Sequence, residues 1–308
     1  MKTSTRLGAL FAGAALAALA GPAPAQDMGM QDMGMHMPSN TLFVAQLNGG
    51  EVVGGSVSQA TGTGAFLLDH ARHTMSYRLT YQGLESGPAK SIAIHNFGRG
   101  RNGPVFAVLC GAGAKPCPDG NAATVSGTAG DGRTFSNATI MEFDTARMYV
   151  EIAGASGKPE IRGQLTPNSA MASYQNYVAD LAPSGGGNAS GTAVLTEVEI
   201  GPDKTSVFYT ATVANASGPP LRASLIGVPA NSRDREFKTE LALPGLRLMG
   251  EKSRATGGTL TGSYDVGAAA GGPLAARLLS AGNQKVGIVV TTSRNPKGEL
   301  FGAFEQVR

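Results

Sequence analysis

The sequence predicts an all-β protein made of two tandem β-sandwiches or barrels, and three observations carry that prediction. One set of landmarks occurs twice in the same order. Ala60-Thr61-Gly62-Thr63-Gly64-Ala65 is answered by Ala189-Ser190-Gly191-Thr192-Ala193, and Gly163-Gln164-Leu165 by Gly302-Ala303-Phe304. So long a period marks a duplicated domain, not a solenoid of short stacking units. Short apolar runs alternate with clusters of Gly, Asn and Pro, the pattern of strands joined by tight turns. Finally, 308 residues suit two domains, each large enough to bury its own core.

Taken in order, Lys2 and Arg6 precede an apolar run over 7–21 and the small-residue site Ala23-Pro24-Ala25. Residues 1–25 therefore read as a cleavable signal peptide, which places the mature chain in the periplasm or outside the cell. No Cys stands at the cleavage point to take a lipid, and no other run is long enough to span a bilayer. Residues 26–40 form a polar, Met-rich arm without a core period, expected to be mobile. The first domain occupies 41–166, a short polar linker 167–176, and the second domain 177–308, so the two are expected to touch.

In the first domain, strands are expected over 42–47, 65–68 and the alternating 75–81. Further strands are read over 91–95, 105–109, 139–143, 148–152 and 160–165. The second domain offers 177–181, 192–196, 206–213, 221–228, 286–291 and 299–304. Its one helical spacing lies over 273–280, before an Ala281-Gly282-Asn283 stop.

The formal charge of +3 drops to +1 once Lys2 and Arg6 leave, too little to argue for nucleic acid or an anionic membrane. Cys110 and Cys117 bracket a Gly/Pro loop, and an oxidising compartment favours a disulfide there, with free thiols as the alternative. Their spacing suits neither a zinc knuckle nor a C-x-x-C redox pair.

The landmarks resemble the CHRD domain, the module named for chordin and found in exported bacterial proteins. Phe43, Ala45, Leu47, Gly50, Glu51 and Val52 match its opening, with Val53 where Pro is usual. Asn102-Gly103-Pro104-Val105 matches its NGP loop, and Glu160-Ile161-Arg162-Gly163-Gln164-Leu165 its close. The second half matches more loosely, through 190–193, 295–299 and Gly302. The resemblance implies an immunoglobulin-like or superoxide-dismutase-like β-sandwich outside the cytoplasm, with no settled activity. The family's His-x-His pair and later His would look like metal ligands. Here only His95 survives, Ala153 replaces the later His, and the second copy has no imidazole at 223–226 or 289–291. A lone His makes no first shell, so the core is expected to hold no metal, with a His95–Glu151 pair as a weak alternative.

The arm carries the sharpest functional signal. Met28, Met30, Met33, Met35 and Met37, with His36, put five of the eleven methionines into ten residues. Thioethers and imidazole are ligands for Cu(I), and thioethers need no deprotonation. An incidental or oxidation-scavenging tail is the alternative. His70 and His73 beside Asp69 read as a solvated hairpin tip, and Arg72, Arg99 and Arg101 as a solubilising surface. No catalytic constellation is complete, and four His leave few bases for a hydrolase.

The expected function is an exported, non-enzymatic scaffold or binding protein whose partner is an unidentified protein or surface ligand, with copper taken by the arm. The alternatives are a periplasmic copper carrier and, lacking ligands, a superoxide-dismutase-like metalloenzyme.

Overall fold

Alternating strands become two antiparallel sheets of nine strands each in the computed structural model. It describes residues 40–132, 134–168, 174–201, 204–229, 240–242, 247–249, 256–267 and 284–307. The first sheet contains β1 (Asn40–Asn48), β2 (Thr61–Asp69), β3 (Thr74–Gln82), β4 (Ser91–Asn96), β5 (Val105–Gly111), β6 (Ala123–Thr128), β7 (Met148–Ala153), β8 (Pro159–Gln164) and the short β9 (Thr166–Pro167). The second contains β10 (Tyr174–Pro183), β11 (Ser190–Gly201), β12 (Lys204–Ala214), β13 (Pro220–Pro229), β14 (Glu240–Ala242), β15 (Arg247–Met249), β16 (Gly258–Gly267), β17 (Gln284–Thr292) and β18 (Leu300–Val307).

The strand orders are β5-β4-β7-β8-β1-β2-β3-β6 and β14-β13-β17-β18-β10-β11-β12-β16-β15. The second reproduces the first strand for strand and adds β15 at its edge. Each sheet folds over on itself around one core: Phe43, Phe66, Leu79, Phe143, Val150 and Ile161 in the first, and Leu181, Val207, Leu225, Ile288 and Leu300 in the second. Glycines of the two copies carry the same constraint. A Cβ on Gly163 would meet the Gln46 carbonyl at 2.7 Å, and one on Gly302 would collide with the equivalent Asp180 carbonyl.

Two sequence expectations change. Residues 139–143 are not a strand but part of helix α1 (Asn137–Asp144). Ser136 caps it by accepting from the Thr139 N–H at 3.2 Å, and Ile140 and Phe143, three apart, bury one face. β6 and β16 escaped the sequence reading because Thr, Ser and Gly fill most of their positions. The helical spacing over 273–280 lies outside the described residues, between β16 and β17. That is where α1 stands in the first copy, between β6 and β7. The Cys110–Cys117 disulfide is formed.

The two sandwiches meet face to face through hydroxyl side chains. Thr80 Oγ1 bonds Thr192 Oγ1 at 2.7 Å, and the equivalent pair, Thr212 and Thr63, meets at 2.8 Å. Thr124 donates to Ser190 at 2.9 Å, and its counterpart Thr259 donates to Thr61 at 3.0 Å. Each of these two contacts thus has a reciprocal, as around an approximate two-fold axis. Leu42, Ala65 and Val194, flanked by Val44 and Val178, form a small apolar cluster between the sheets. Arg78 and Asp180 form an ion pair across one side.

Candidate functional site

The register of β4, β7 and β8 builds a polar cluster on the outer face of the first sandwich. Ala93 stands opposite Glu151, His95 opposite Tyr149, and Glu151 opposite Arg162. Alternation places these side chains on one face, away from the core residues Ile92, Ile94, Val150 and Ile161. Arg162 is 1% exposed, and its guanidinium carbon lies 3.3 Å from the centre of the Tyr149 ring. The His95 ring stacks on Tyr149 at 4.9 Å and 9°. The planar guanidinium suits such stacking, whereas an ammonium would not.

The stack ties down the loop over 97–104. His95 Nδ1 lies 3.1 Å from the Gly103 carbonyl, which can only accept, so this nitrogen carries the proton. The Gly103 N–H donates to the Tyr149 hydroxyl at 3.1 Å. Arg162 donates to the Asn102 side-chain oxygen and the Gly98 carbonyl, both at 3.3 Å, and Gln164 donates to the Phe97 carbonyl. A Cβ at Gly103 would overlap the Asn96 carbonyl, which explains why the NGP turn needs glycine there.

His95 Nε2 lies 4.0 Å from Glu151 Oε1, within ion-pair range. Burial pushes the Glu151 carboxyl above its ordinary range, against the pull of His95 and Arg162. Desolvation likewise lowers Arg162. These residues do not fit a metal ion. One imidazole and one carboxylate fall short of a first shell, and a guanidinium occupies the same face. No cluster of three or more His, Cys, Asp or Glu side chains suited to a metal occurs among the described residues.

Loop 97–104 in turn supplies one lip of a cleft of about 570 Å³ between the sandwiches. Thr210, which bonds Thr63 across the join, also lines it. Val44, Gln46 and Asn48 of β1 form one wall; Val194, Thr196 and Val198 of β11, with Phe208 and Thr210 of β12, form the other. Arg99 and Glu51 pair at 3.3 Å on its rim. Phe208 is half exposed.

The remaining expected residues separate. The copper candidates Met28, Met30, Met33, Met35, His36 and Met37 lie outside the described residues. His70 Nε2 bonds Thr41 Oγ1 at 2.8 Å, and His73 Nδ1 bonds the Phe135 carbonyl at 3.0 Å, so the two imidazoles serve different contacts. Arg72 pairs with Asp69 at 2.8 Å, and Arg101 lies over Phe97. Sequence reading did not find the Tyr149–Arg162 stack or the cleft. The matched opening and closing motifs held the signal, since they contain Glu51, Arg162 and Gln164.

No curated protein and no solved structure matches the chain. Residues 43–165 match the profile of the CHRD domain. That span runs from Phe43 in β1 to Leu165 after β8 and includes the whole Arg162 cluster. The first sandwich, over residues 43–165, is therefore similar to a CHRD domain.

Proposed function

We propose that the chain is an exported, non-enzymatic binding scaffold whose recognition surface is the cleft between its sandwiches. The observation that carries this reading is the reciprocal threonine interface. It joins the sheets through buried, mutually satisfied hydroxyls, so the walls of the cleft are held by both sandwiches at once. Recognition then needs no large rearrangement. A thermal-shift and calorimetry panel on the mature chain tests it, using anionic, cationic, apolar and neutral polyhydroxyl probes. Saturable binding by one class, weakened by Thr196→Trp in the cleft wall, is expected. Chemical turnover of a bound probe, or no binding from any class, overturns the reading.

A second reading belongs to the arm, and the concentration of five methionines between Met28 and Met37 favours it. Their thioethers, with His36, supply a Cu(I) site independent of the sandwiches. Cu(I) competition on the mature chain should show tight binding that disappears when all five are changed to Ser. Equal binding by the two proteins refutes it, and copper kept by the sandwiches revives the metalloenzyme alternative.

A further inference from the structure

The two-fold repetition gives the molecule a second groove on the other side of the threonine contacts, about 660 Å³ in volume. Superimposing the two registers shows that matching positions of the two grooves carry opposite chemistry. Where the first cleft has Gln46 and Thr210, the second has Asp180 and Arg78, which form an ion pair. Where the first has Phe208, Gln164 and Thr166, the second has Ser76, Ala303 and Glu305. One groove is thus charged and bridged. The other offers amides, hydroxyls and an open aromatic ring, and among its described lining residues the only charges are the mutually paired Glu51 and Arg99.

We infer that the cleft bearing Phe208 binds a neutral, polyhydroxylated ligand, a short stretch of uncharged glycan. The inference rests on the cleft being the recognition surface, as argued above, and adds the ligand class. Amides both donate and accept, as sugar hydroxyls do, so the side chains of Gln46 and Asn48 can satisfy them without a charge. The exposed Phe208 ring offers an apolar face to the C–H side of a pyranose, in a row where its neighbours Thr210 and Thr212 face the first sandwich. The cleft volume lies in the range of small-molecule sites.

The competing classes fit less well. A phosphate or polyanion finds no free cation on the described walls, because Arg99 is paired with Glu51. A lipid chain would bury amides and hydroxyls without partners, which is costly. A peptide cannot add as a strand, because β1 already pairs with β2 and β8, and β11 with β10 and β12.

The test is titration of the mature chain with soluble cello-, malto- and chito-oligosaccharides, with heparin as the anionic comparison. Phe208→Ala and Gln46→Ala should each weaken binding of the best neutral oligosaccharide by about tenfold. Ser76→Ala, at the position matching Phe208 in the charged groove, should leave it unchanged. Circular dichroism and melting temperature establish that each variant is folded. Failure of every neutral oligosaccharide to bind, or binding by Phe208→Ala and Gln46→Ala as tight as that of the unaltered chain, overturns the inference. If a charged or apolar probe binds in the cleft instead, the glycan assignment falls and the scaffold reading stands. If no probe binds there, both fall.

Discussion

Replacing Glu299 with Gln should cost the protein about 2–3 kcal/mol at neutral pH, because its carboxylate accepts from four donors while nearly buried. Oε1 accepts from the Ser217 N–H. Oε2 accepts from the hydroxyls of Ser217, at 2.6 Å, and Thr292, and from the Asn295 amide at 3.0 Å. Gln preserves the shape but must turn its own NH₂ toward either the Ser217 N–H or the Asn295 amide. The hydroxyls can rotate to accept; one N–H donor cannot. The cost is therefore one lost charge-assisted bond plus one opposed donor, which sets the figure.

The same group gives a pH signature. Burial pushes the Glu299 carboxyl up, but the bonds from Ser217, Thr292 and Asn295 outweigh it and hold it below the ordinary carboxylate range. A carboxyl depressed by folding contributes stability that is present above its unfolded value and is lost as pH falls through its folded one. Urea unfolding from pH 7 downward should show wild type losing this contribution below about pH 4.5, while Glu299→Gln lacks that increment throughout. A Glu299→Gln protein within about 0.5 kcal/mol of wild type at pH 7, with the same acid profile, would refute the reasoning. The matching residue of the first copy, Glu160, accepts from the N–H groups of Glu85 at 2.8 Å and Ser86 at 3.0 Å, so the device is duplicated. In both copies the closing-motif glutamate holds a loop that leads out of the third strand.

Gly163→Ala and Gly302→Ala should each destabilise the chain by about 1–3 kcal/mol in urea titrations, because both put a methyl against a backbone carbonyl that cannot move alone. Arg162→Lys keeps the charge but loses the flat stack on Tyr149 and the fork to Asn102 and Gly98, so hydrogen exchange of the Gly103 amide should accelerate more than tenfold, by about 1.4 kcal/mol or more of local opening. Reduction of Cys110–Cys117 removes closure of a short loop and should cost about 2.5 kcal/mol, measured as the shift in unfolding free energy with and without reductant.

The residues explain how far sequence reading reached. Met75–Tyr81 alternates apolar and polar, and the register bears it out: Met75, Tyr77, Leu79 and Tyr81 face the core. Residues 139–143 misled because Thr139-Ile140-Met141-Glu142-Phe143 is too short a stretch for its period to separate helix from strand. The Ser136 cap and the three-residue spacing of Ile140 and Phe143 settled it. At the polar cluster, the sequence named His95 and Glu151. It gave no hint that Arg162 would fill the face between them, since the contact depends on pairing β4, β7 and β8.

By itself, then, the sequence determined the all-β class, the duplication and the location of the opening and closing motifs, because alternation and tight-turn residues are local properties. The face-to-face join was decided only by the tertiary structure. Thr61, Thr63, Thr80 and Thr124, and their counterparts Ser190, Thr192, Thr212 and Thr259, read locally as a solvated strand face. They are buried or half-buried because hydroxyls can satisfy one another across an interface as water would. The cleft between the sheets, and the difference between its neutral walls and the charged groove opposite, exist only once both sheets are in place.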